Sequence, residues 1–163
     1  CRFDESDARA LGRTASGVRG INIEEDDEVV GMITYDPTAE DAAAHSILVV
    51  SENGFGKRSD FDEYRKTNRG GKGVKTLNIT EKTGALVAMK NVTDENDLMI
   101  INKSGLTIRM AVSDIRVAGR ATQGVKLINI KEGDSIAAIS AVNKSEEETP
   151  VQPAEQVNEE NNE

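Results

Sequence analysis

A threefold repeat constrains this chain more than any other feature. Arg2 to Gly17, Arg58 to Gly73 and Arg109 to Gly124 each span the same fifteen-residue interval. Five residues after the first Arg stands an acid (Asp7, Glu63, Asp114), two further on a second Arg (Arg9, Arg65, Arg116), and four beyond that a third (Arg13, Arg69, Arg120). The Gly is followed by a Val (Val18, Val74, Val125), then a basic residue (Arg19, Lys75, Lys126), and later an Asn between apolar residues (Asn22, Asn78, Asn129). Successive repeat glycines lie 56 and 51 residues apart. A period of that length, with so many residue types in register, marks a stack of similar supersecondary units.

Each unit reads as β structure. The apolar runs Ile47–Ser51 and Leu98–Ile101 end at Glu52-Asn53-Gly54 and Lys103-Ser104-Gly105, which are turn sequences. A second strand is expected near 55–61 and 106–112, then a basic connection (62–72, 113–123). A third strand, Val74–Thr80 or Val125–Ile130, is expected to pair with a fourth, Ala85–Val92 or Ser135–Val142, through the hairpin-like turns 81–84 and 131–134. Four short strands per roughly 50 residues is the pattern of propeller blades. Apolar residues of both parities, Val125 and Leu127 against Ile128 and Ile130, suit sheets covered on both faces. The fold class expected is therefore all-β, with blades of four antiparallel strands in a partial ring of about two and three-quarter blades. The units are 1–35, 47–92 and 98–142, within one domain over 1–143. The first unit lacks its first strand, and the sequence opens in mid-pattern, as a piece of a longer protein would.

Charge has to be taken by segment. The net charge is −9, but residues 146–163 hold seven Glu and no Lys or Arg. That segment, within an acidic tail assigned to 144–163, has little to bury and is expected to be disordered. It either aids solubility or competes with another polyanion for a basic surface. Locally the balance reverses: residues 57–75 carry Lys57, Arg58, Arg65, Lys66, Arg69, Lys72 and Lys75 against three acids.

Other chemistries find little support. A single cysteine, Cys1, excludes an internal disulfide framework, and a single histidine, His45, argues against a zinc site. No apolar run approaches a membrane-spanning length. Gly12–Gly17 and Gly119–Gly124 have the glycine spacing of a phosphate loop but are followed by Val rather than Lys and precede strands rather than helices. The acidic run Glu24–Glu28 falls in a turn of the repeat, and neither Tyr35 nor Tyr64 has partners that would activate it. No catalytic or metal-binding residue is expected. The loop Arg69-Gly70-Gly71-Lys72-Gly73 is different: glycines allow close backbone approach to a phosphate, leaving amides to donate beside two cations. Arg2, Arg58 and Arg109 are expected either to pair with the acid five residues on or to contact phosphate.

Three stretches carry a family resemblance: Glu52-Asn53-Gly54-Phe55-Gly56-Lys57-Arg58, Arg69-Gly70-Gly71-Lys72-Gly73-Val74 and Gly119-Arg120-Ala121-Thr122-Gln123-Gly124-Val125. They resemble the C-terminal domain of the DNA gyrase A-subunit family, over residues 1 to about 143. The resemblance implies the last blades of a six-bladed β-pinwheel that wraps duplex DNA, without sequence specificity, in support of negative supercoiling by an ATP-dependent type II topoisomerase. Thr67-Asn68-Arg69-Gly70-Gly71-Lys72-Gly73 is similar to a degenerate copy of that family's Gln-Arg-Arg-Gly-Gly-Arg/Lys-Gly box. On this reading the DNA-facing residues are Arg13, Arg19, Lys57, Arg65, Lys66, Arg69, Lys72, Lys75, Arg120 and Lys126. The partners that the resemblance implies are gyrase B and a second gyrase A chain. It also implies a bacterial cytoplasmic setting, and ATP and Mg²⁺ for the whole enzyme, with no cofactor in this segment. Two alternatives stay open: the related topoisomerase IV A-type domain, and a propeller that binds proteins and has no DNA role.

Overall fold

The computed structural model describes residues 1–144, so the acidic segment 146–163 lies outside the described residues. Among the described residues seven strands form two sheets: β1 (Ser46–Ser51), β2 (Phe55–Ser59), β3 (Leu86–Val92), β4 (Asn96–Asn102), β5 (Thr107–Ala111), β6 (Val125–Lys126) and β7 (Ile136–Asn143). The first sheet runs β3-β1-β2-β6 and the second β5-β4-β7, with every pairing antiparallel. Gly54 and Gly105, at φ +82° and +88°, close the β1–β2 and β4–β5 turns in the left-handed region that side chains avoid.

The all-β architecture agrees with the repeat, but the strands are shared differently from expectation. The third strand of the third unit shrinks to Val125–Lys126 and leaves its own unit. It pairs with β2 of the second unit, Phe55 opposite Lys126 and Gly56 opposite Val125. A blade thus comprises the fourth, first and second strands of one unit plus the third strand of the next. The cause lies in the connection, which is not the solvated loop its charge suggests. Val112 and Ile115 are fully buried between the two sheets, and that anchor pulls the chain back across the second unit. There Arg58 N–H donates to Arg116 O (3.3 Å) and Ala118 N–H to Arg58 O (2.8 Å). Gly124, at φ +79°, then turns the chain against the backbone of Gly56, where an added Cβ would lie 2.5 Å from the Gly56 oxygen.

In the adjoining units Val74–Lys75 are the repeat equivalents of β6, and residues 30–36 those of β3. Neither stretch forms a regular strand, because a strand is defined by its partner. Two-faced packing is found in the fourth strand β3, where Val87 and Val92 meet one core and Leu86 and Met89 the other, and most fully in β1. All six residues of β1 are buried. Leu48 and Val50 face a core shared with Leu98, Ile100, Ile128 and Ile136, while Ile47 and Val49 face Phe61, Tyr64 and Leu77. Val125, by contrast, is exposed. A β-bulge interrupts β1 at Val50/Ser51 and β4 at Ile101/Asn102, the same repeat position in both.

Candidate nucleic-acid interface

The cations divide into those bound inward and those that remain outside. The first arginines of the first two units are bound inward and that of the third is exposed, and none of the three meets the expected acid. Arg58, 7% exposed, donates from Nε to Ile115 O (2.8 Å) and pairs with Asp94 (2.6 Å) rather than Glu63. Arg2 donates to the carbonyls of Phe61 (2.7 Å) and Tyr64 (3.1 Å), with Asp62 at 3.8 Å, not to Asp7. Arg109 pairs with Asp97 of the facing strand (2.6 Å), not with Asp114. Ile115 and Tyr64 are equivalent in the repeat, so Arg2 and Arg58 fasten their own unit to the connection of the next. For Arg2 and Arg58 the expected partners fail because the chain's return path puts another segment beside the guanidinium, whereas Arg109 meets an acid of its own hairpin.

Lys57 also needs correction. It is only 1% exposed, and its ammonium donates to Gly119 O (2.5 Å) and Arg120 O. Burial, reinforced by the nearby Arg120 charge and partly offset by Glu63, pushes its pKa down from 10.5 to about 8. A lysine so placed joins two units and presents nothing to a ligand.

The third arginine behaves alike in two units. Arg69 donates from Nε to Asp7 O (2.9 Å) and from Nη1 to Arg19 O. Arg120 donates from Nε to Glu63 O (3.1 Å) and from Nη1 to Lys75 O (2.5 Å), positions equivalent to Asp7 and Arg19. Phosphate contact was expected of both. Their guanidinium groups are instead engaged with backbone carbonyls one unit earlier. Nor are all the glycine amides of the basic loop available, since Gly70 N–H donates to Gly20 O (2.8 Å).

Outside remain Arg13, Arg19, Arg65, Lys66, Lys72, Lys75 and Lys126, all exposed. Lys66 is paired with Asp4 (2.6 Å), which holds that carboxyl below its usual range together with hydrogen bonds from Ser6. Arg19, Lys75 and Lys126 occupy one repeat position, so the fold offers a cation at the same place in each successive unit. The Lys126 ammonium lies 5.9 Å from the centroid of Phe55, and Lys82 approaches the same ring at 5.4 Å. Lys82 was missed because it lies in a turn outside the basic segment. Arg9 and Arg116, the exposed equivalents of Arg65, were legible in the repeat but left out of the candidate set.

The residues set aside as structural have structural surroundings. Tyr35 stacks on Phe61 (3.7 Å, 8° between planes), and the buried Tyr64 bonds Thr76 through its hydroxyl (2.5 Å). His45 lies between Asn91 (2.9 Å) and Asp41 (3.2 Å), and hydrogen bonding to Asp41 and then Asn91 raises its pKa. Among the described residues no group of three or more His, Cys, Asp or Glu could hold a metal ion, and no helix is long and apolar enough to cross a membrane.

Comparison with known proteins bears on the family and the fold. The model of the DNA gyrase C-terminal domain, beta-propeller, matches residues 2–36, 45–93 and 96–143. The DNA gyrase A protein of Staphylococcus epidermidis is 47% identical over 146 residues, and that of Staphylococcus aureus 46% over 147, covering 90% of this chain but 16% of those proteins. The structure of a DNA gyrase A C-terminal domain superposes with TM-score 0.74 at 24% identity, over 85% of this chain and 45% of that one. The C-terminal domain of a DNA topoisomerase IV gives 0.75, also at 24% identity, over 86% and 42%. With three matched segments that together take in most of its length, this chain belongs to the DNA gyrase C-terminal domain, beta-propeller family.

Proposed function

We propose that this chain is a DNA-wrapping segment of a gyrase A-type protein, binding duplex DNA through phosphates along the rim of successive blades. The observation that carries the reading is the recurrence of an exposed cation at Arg19, Lys75 and Lys126, with Arg13, Arg65 and Lys72 exposed in the connections beside them. Cations repeated along a curved array neutralise phosphates and release counterions, and successive contacts offset the cost of bending the duplex. Such binding is indifferent to base sequence. Topoisomerase IV is a second reading at the level of fold, where the two structural likenesses are equal. The 46–47% identities to gyrase A proteins favour gyrase.

Within the longer protein, the partners would be gyrase B and a second gyrase A chain in the bacterial cytoplasm, with ATP and Mg²⁺ used elsewhere in the assembly. The test is a salt series of binding titrations with unrelated duplexes. Similar affinities and a steep negative slope of log affinity against log salt are expected. A salt-independent or sequence-dependent affinity would refute the proposal and leave a protein-binding propeller in its place.

A further inference from the structure

We infer that the third arginine of a unit is a positioning residue: it fastens the basic connection one unit earlier and so fixes where that connection's cations stand. The DNA-facing half of this inference rests on the function proposed above. Arg120 reaches the carbonyls of Glu63 and Lys75, the two ends of the segment that contains Arg65, Lys66, Arg69 and Lys72. Arg69, itself inside that segment, reaches the equivalent carbonyls of Asp7 and Arg19, the ends of the segment that contains Arg9 and Arg13. The first two connections are therefore each clamped by the one that follows.

A single guanidinium bridges two carbonyls twelve positions apart through Nε and Nη1, a task suited to a rigid fork of donors. A lysine ammonium, one compact donor group at the end of a flexible stem, has no Nε donor to reproduce that fork. The clamp is itself held from behind. Arg120 N–H donates to the Glu63 carboxylate (3.2 Å), and the buried Lys57 binds the carbonyls of Gly119 and Arg120. One unit earlier, Cys1 stands at the position of Lys57, and its Sγ lies 4.0 Å from Asn68 O, the equivalent of Gly119 O.

Pinning both ends of a cation-bearing loop lowers the entropy lost when it binds a rigid polyanion. The clamp also fixes the carbonyl of Lys75, whose exposed side chain is one of the recurring rim cations.

The test compares Arg120→Lys, Arg120→Gln and Lys75→Ala in the otherwise unchanged chain. Amide hydrogen exchange over residues 63–75, measured without DNA, should quicken in both Arg120 variants, with amides of β4 unchanged. Duplex affinity at one salt concentration should fall roughly tenfold in both, the loss of one or two net hydrogen bonds. The salt slope should stay that of the parent. Lys75→Ala should do the reverse, keeping parental exchange and reducing the slope by about 0.9. Arg120→Lys with parental exchange and affinity, or Arg120→Gln with a slope reduced by about 0.9, would overturn the inference in favour of direct phosphate contact. If the parent chain shows no salt-dependent affinity, the proposed function fails, and the exchange data alone decide whether the clamp exists.

Discussion

Replacing Lys57 by Met tests whether a charged ammonium is held inside the junction between two units. In the folded chain its pKa is lowered from 10.5 to about 8, a difference equivalent to about 3 kcal/mol against the charged form. Between these values the unfolded chain keeps a proton that the folded chain has released. Stability from this group therefore rises with pH across the window and is lost as pH falls through about 8. Met removes the charge but leaves the Arg120 carbonyl without its donor, at a cost of about 1–3 kcal/mol, while Gly119 O keeps the Thr122 N–H and hydroxyl. Near neutral pH these effects partly cancel, so the variant should be only modestly less stable. Towards pH 10.5 the neutral amine keeps its bonds without the charge penalty, and the gap should widen by about 3 kcal/mol. Urea melts of both chains across this range measure the gap, and titrations common to both cancel in the difference. A gap that does not change with pH would refute the reasoning and place the Lys57 ammonium in solvent.

The remaining predictions concern the repeat glycine, the rim cations and the acidic segment. Gly124→Ala combines a φ of +79° with a Cβ only 2.5 Å from Gly56 O and should cost about 3 kcal/mol or more, whereas Gly17→Ala, at φ +78° with nothing within 4 Å, should cost about 1 kcal/mol. Equal shifts in thermal melts would mean that packing against the neighbouring unit is not what fixes this glycine. The double variant Lys72→Ala/Lys75→Ala should flatten the log–log salt dependence by about 1.8 for any duplex, with an unchanged melting temperature; a full slope would exclude these side chains as phosphate contacts. Deleting residues 146–163 removes seven glutamates and should raise DNA affinity most at low salt, where screening is weak. Unchanged binding in gel-shift titrations would leave that segment a solubilising role.

The sequence by itself determined the repeat, the first, second and fourth strands of the second and third units, and the turns. These depend on information within a few residues: apolar runs such as Ile47–Val50, the turn glycines Gly54 and Gly105, and residue types recurring in register. It also placed a cation at one recurring position, because Arg19, Lys75 and Lys126 follow the repeat glycine at a fixed offset. Only the tertiary structure decided what each charged side chain touches. Val112 and Ile115 were hidden inside a segment that reads as basic and soluble, yet their burial draws the third strand onto the preceding unit. Once the chain doubles back, partners 36 to 62 positions apart come together. Asp94 rather than Glu63 meets Arg58, Lys57 is sealed under Gly119, and Arg69 and Arg120 bond carbonyls where phosphates were expected. Local pattern fixes which residues can form a strand. The burial of a few apolar anchors between sheets decides which unit that strand joins, and with it which cations are left facing solvent.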